Sequence, residues 1–118
     1  MIFDDAREVH ESALQKLAEG DIRDAAEKAW CATKRSTDAL ILARTGEEPP
    51  TTSLTSRRLD TLARRDASVK PLVGRYYSRI TQLHGECFYN GIWEPTETER
   101  RIRETADYIR DAENLAHG

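Results

Sequence analysis

Between Gly20 and Gly46 the chain reads GDIRDAAEKAWCATKRSTDALILARTG, and one face of this stretch is built almost entirely from small side chains. Wound at 100° per residue, Ala25, Ala26, Ala29, Ala32, Thr33, Ser36, Leu40 and Ala43 fall within about 60° of Ala29. Small residues let a second helix axis come close, so another helix is expected against this face. Trp30, Thr37 and Ile41 form a stripe roughly 100° away, and the helix is therefore expected to touch two neighbours. Gly20 suits the left-handed residue after a preceding helix, and Asp21 suits the N-cap of this one, which runs from Ile22 to about Thr45.

The remaining segments are helical too. Asp4 or Asp5 is expected to cap a first helix reaching about Gly20, with Ala6, Val9, Ala13 and Leu17 inward. TGEEPPTTS is a loop, because Pro49 and Pro50 block the return of the helix. LTSRRLDTLARRDA predicts a third helix with Leu59, Leu62 and Ala63 inward, and VKPLVG predicts a break or kink because Lys70 precedes Pro71. A fourth helix follows to about Phe88, and NGIWEP turns the chain with Gly91 at positive φ. Thr96 and Glu99 predict a capping box for a last helix whose inner face is Ile102, Ala106, Ile109, Glu113 and Ala116. No strand-like alternation occurs. The expectation is an all-α fold: residues 1–118 as a single domain, an antiparallel up-and-down bundle of four to five helices. The phrase GDxxxAxxKA is like one found in tetratricopeptide repeats, but no second copy follows at the required period, which argues against a solenoid.

Several function classes are excluded at this level. No apolar run approaches the roughly 20 residues of a membrane span, and MIFDDAREVH has no signal-peptide apolar region. Cys31 and Cys87 lie far apart without metal-ligand spacing, so neither a metal nor a cofactor is expected. Free thiols suit a reducing cytoplasm, with a disulfide between them left open. His10 lies at the edge of the first helix's apolar face and His117 in a tail expected to fray.

Charge is uneven. From Leu54 to Arg79 seven basic residues face only two acids, Asp60 and Asp66, so this segment is five charges positive and the rest eight negative. Arg57, Arg58, Arg64, Arg65, Lys70 and Arg75 therefore offer a track for RNA phosphates or a docking face for an acidic partner. The alternative is a solvated face paired with acids of the other helices. Phe88, Tyr89 and Trp93 either stack unpaired bases or seal the end of the bundle, and sealing is the expectation.

His84 poses the sharpest question. Val73, Tyr76, Tyr77, Ile80, Leu83 and Cys87 recur at helical spacing, and His84 projects about 40° from Ile80, inside that stripe. A buried structural histidine, a dimer-contact histidine and a catalytic or ligand-binding one all fit this position.

The small-faced helix after GDIRDAAEKAW, the PP-containing loop and the late LHGECFYNG together resemble the HEPN superfamily, and within it the archaeal PaREP-type members. That resemblance, from about Leu14 to Leu115, implies a small helical bundle that forms homodimers. It implies binding of RNA, a nucleotide or a protein partner, the last including a nucleotidyltransferase in a toxin–antitoxin-like pair. Active members carry an arginine followed after four to six residues by histidine, and Arg79 and His84 match that spacing. The implied chemistry is metal-independent RNA cleavage, with His84 moving the proton of a 2′-hydroxyl or leaving group and Arg79 stabilising the phosphorane. Ile80 and Glu86 stand where the motif usually has a polar and an aromatic residue. Five residues on an α-helix also separate two side chains by about 140° and about 7.5 Å. Arg79 and His84 are thus expected to cooperate only if the helix is distorted or a dimer axis joins two copies.

Overall fold

The computed structural model describes residues 2–118, with side chains from Phe3 onward. Six α-helical segments appear among them: α1 (Ile2–Ala18), α2 (Ile22–Thr45), α3 (Thr52–Arg65), α4 (Lys70–Arg79), α5 (Pro95–Arg103) and α6 (Thr105–His117). A 3₁₀ turn, Ala67–Val69, leads into α4, and a π-helix, Ile80–Tyr89, continues it. No strand occurs among the described residues, so the molecule is all-α.

α2 is the axis of the structure, packing against every other α-helix and against the π-helix. Its alanine face explains this. Ala25, Ala26, Ala29 and Ala32 are wholly buried, so neighbouring backbones come close on several sides. The second stripe makes separate contacts: Trp30 meets Tyr76 of α4 edge-on at 5.4 Å, and the Thr37 hydroxyl is 2.7 Å from the Tyr108 hydroxyl of α6. The ends of α2 are closed as expected. Asp21 accepts from the Asp24 amide, and Gly46 at φ 80° lets its own N–H reach the Leu42 carbonyl.

Elsewhere the structure corrects the sequence. Asp4 and Asp5 lie within the first turn of α1, where their charges still favour the helix N-terminus. The break before α4 falls at Asp66–Val69; Lys70 is helical at φ −50°, and Pro71 occupies the first turn, where no N–H is needed. α5 begins earlier than Thr96: Glu94 caps it by accepting from the Glu97 amide, and Pro95 supplies a preset φ, so the Thr96–Glu99 box does not form.

Two expected inner-face residues are exposed, Ala43 and Ala106. In α6 the inner face is instead Thr105, Tyr108, Ile109 and Ala112, because burying the Tyr108 ring outweighs burying the Ala106 methyl. Ala43 lies in the last turn of α2, beyond the continuous run of buried residues that ends at Ile41. Tyr77 is also exposed, its hydroxyl donating to Asp60 at 2.9 Å. Glu113, a blemish on an apolar stripe, is explained by an ion pair with Arg7 of α1.

Candidate functional site

α4 and the π-helix present the two candidate residues to two different neighbours. Arg79, the last residue of α4, faces α5 and α6. Its side chain is 6% exposed, and Nη1 donates to the Arg101 carbonyl at 2.9 Å and to Thr105 Oγ1 at 2.7 Å. The guanidinium lies over the Tyr108 ring, 5.6 Å from its centroid. Burial pushes its pKa down to about 10, so it stays charged at neutral pH.

Arg79 forms no ion pair among the described residues, and Nε and Nη2 make no hydrogen bond to the chain. Neither atom is sealed off, since the only fully buried polar side-chain atom lacking a partner among them is Gln82 Oε1. Arg79 also lines a pocket of about 250 Å³, together with Arg75, Ser78, Arg100, Arg101, Glu104 and Asp107. Arg75 is tied to Asp111 at 2.7 Å, and Arg100 to Glu104 at 3.1 Å. Arg101 has only a distant carboxylate, Glu97 at 3.9 Å.

His84 turns the other way, onto α2. Its Nδ1 donates to the Glu27 carboxylate at 2.7 Å, with the side chains 32% and 22% exposed. Tyr89 meets the imidazole edge-on at 5.0 Å, Phe88 lies parallel at 6.4 Å and Trp30 is tilted at 6.0 Å. Nε2 has no partner among the described residues. The helix distortion that joint action of Arg79 and His84 requires is present, because winding becomes π at Ile80. The two side chains nevertheless leave toward different helices, and one chain does not bring them together.

The π-helix is held open at its end by Arg23 of α2, whose Nη2 donates to the Phe88 carbonyl at 2.6 Å and the Tyr89 carbonyl at 3.2 Å. These carbonyls would otherwise lack an acceptor's partner at a helix terminus. Gly91 follows at φ 66°, and a Cβ there would lie 3.3 Å from the Arg23 guanidinium. Tyr89 and Trp93 do not seal the bundle: they are 67% and 38% exposed.

The predicted basic face divides. Among the described residues Arg57, Arg65 and Lys70 are exposed without an acidic partner, and Arg64 donates only to the Thr61 hydroxyl. Arg58 reaches Glu47 at 4.0 Å, and Arg75 is drawn onto α6. The ion-paired alternative thus holds for Arg75 and weakly for Arg58. Sequence reasoning missed Arg100, Arg101, Glu27 and Arg23; the run ERRIRE does signal an arginine cluster, but not its convergence on Arg79. Both cysteines are free, with Cys87 buried.

Fold and site together define a small all-α protein built on one central helix, with an arginine-lined pocket beside it. Residues 2–111 match the Archaeal PaREP1/PaREP8 family, and the chain belongs to that family. No curated protein and no solved structure matches it. No described helix is long and apolar enough to cross a membrane.

Proposed function

We propose that the chain binds a phosphate-bearing ligand, RNA or a nucleotide, in the arginine pocket between α4 and α5–α6. The observation that carries this reading is Arg79, a buried cation with no carboxylate in ion-pair contact among the described residues and with Nε and Nη2 left for a ligand. A buried unpaired charge is costly, and a bound anion removes that cost. The guanidinium fork matches two phosphate oxygens, and the pocket's other arginines reinforce the field. Arg57, Arg58, Arg64, Arg65 and Lys70 supply a second, looser surface for the rest of a polyanion. The resemblance to the HEPN superfamily, with its up-and-down bundles and homodimers, supports the same class of ligand.

A second reading, metal-independent RNA cleavage by a homodimer, is favoured by one observation. Glu27 fixes His84 through Nδ1 and leaves Nε2 free, the arrangement of an oriented general base. It needs Arg79 and His84 from different copies.

Anisotropy titration of a labelled single-stranded RNA tests the first reading. Arg79→Gln and the double variant Arg100→Gln/Arg101→Gln are expected to weaken binding at least about tenfold, given roughly 1.5–3 kcal/mol per charged hydrogen bond. Unchanged affinity in the double variant, with helicity intact by circular dichroism, overturns it. The same RNA kept in EDTA stays whole if only binding occurs; cleavage lost on His84→Ala establishes the second reading.

A further inference from the structure

We infer that the pocket takes a terminal phosphate rather than an internal diester, and that the attached nucleoside lies in the adjoining recess against Trp93. This deepens the binding reading above and rests on it. Arg79 forms the floor of the pocket and is 6% exposed, so only a group that protrudes from its ligand reaches the free Nε and Nη2 donors. The lining charges point the same way. Four arginines face two carboxylates, Glu104 and Asp107, and the two arginines not held in a close ion pair are Arg79 and Arg101. The lining residues sum to two positive charges, which match a phosphomonoester, at about −1.5 to −2 at neutral pH, better than a diester.

Arg101 also lines a second recess, of about 220 Å³, with Gln82, Ile92, Trp93 and the acids Glu86, Glu94 and Glu97. Trp93 and Ile92 are exposed there, and the Gln82 amide oxygen is a buried acceptor without a donor. Three carboxylates reject a phosphate from this recess but tolerate a neutral base, whose ring stacks on the indole. The two recesses thus order one ligand: phosphate to Arg79, base to Trp93, and any further chain into solvent. A free nucleoside monophosphate and the 5′-phosphorylated end of an RNA share this chemistry.

Intrinsic fluorescence reads the contact directly, because Trp30 is buried at 4% exposure and Trp93 is the accessible indole. The probes are 5′-AMP, adenosine, inorganic phosphate, and a hexaribonucleotide with either a 5′-phosphate or a 5′-hydroxyl. 5′-AMP is expected to quench Trp93 and to bind about tenfold more tightly than adenosine or phosphate, with Trp93→Leu, read by displacement of the labelled RNA, reducing it to the level of phosphate. The phosphorylated RNA is expected to bind about tenfold more tightly than the hydroxyl form, and its affinity relative to AMP tells which source the site prefers. Equal binding of the two RNAs together with AMP no tighter than phosphate overturns the inference, while Arg79-dependent RNA binding leaves the broader reading standing. Failure of every probe and RNA to bind overturns both.

Discussion

Arg79 and Thr37 show how single buried polar groups acquire their meaning from distant partners. Thr37 sits on α2 and donates to the Thr33 carbonyl at 2.8 Å, so that its oxygen accepts from the Tyr108 hydroxyl at 2.7 Å. Both residues are fully buried, so neither hydroxyl has water as a substitute. Thr37→Val keeps the volume and strands the phenol, which is expected to cost about 1–3 kcal/mol in urea or thermal unfolding. An unchanged midpoint would show that the pair contributes nothing. His10 is a comparable case: its Nε2 donates to the Ile102 carbonyl at 3.0 Å, and the residue is 7% exposed. The periodicity placed it only at the edge of an apolar face. What buries it is α5, 92 residues away in sequence, which periodicity within α1 has no means to sense.

At the scale of elements, the π-helix is the feature that organises the His84 side. A wider winding leaves the last carbonyls splayed, and Arg23 from α2 collects those of Phe88 and Tyr89. Gly91 makes room for that guanidinium at a φ of 66°. Gly91→Ala therefore meets two obstacles, a strained left-handed backbone and a Cβ 3.3 Å from Arg23. It is expected to destabilise the protein by about 1 kcal/mol or more, with faster amide exchange confined to the π-helix. Faster exchange spread evenly over α1 and α6 would count against a local role. That Gly91 takes positive φ was legible from NGIWEP, since turn chemistry is local. The π-winding was not, because nothing in ITQLHGECFY departs from α-helical spacing.

The whole molecule is tied by long-range charge as well as by its core. Arg44 of α2 donates to the Leu115 carbonyl of α6 at 2.8 Å and to Asp66 at 3.1 Å, joining three segments at one end. Its stability is expected to fall in mild acid. Burial, reinforced by the charge of Arg79, holds the folded His10 below its ordinary pKa, against weaker opposing effects from the Ile102 carbonyl and Glu11. The unfolded chain then takes up a proton near its ordinary value of about 6.5 while the folded one resists, so lowering the pH through this range favours unfolding. Calorimetry between about pH 7.5 and about pH 5.5 is expected to show a falling Tm, with a shallower fall in His10→Gln. Equal slopes in both proteins would assign the acid sensitivity elsewhere.

By itself, the sequence determined that the chain is helical, where α2 starts and stops, and which alanines let other helices approach it. These follow from periodicity, caps and turn residues, which act within about four residues of one another. Only the tertiary structure decided that Tyr108 rather than Ala106 sets the face of α6, that Arg79 and His84 serve different neighbours, and that Arg100 and Arg101 close a pocket over Arg79. Each of those outcomes is a competition between groups far apart in the chain, settled by which burial and which hydrogen bonds can be satisfied at once.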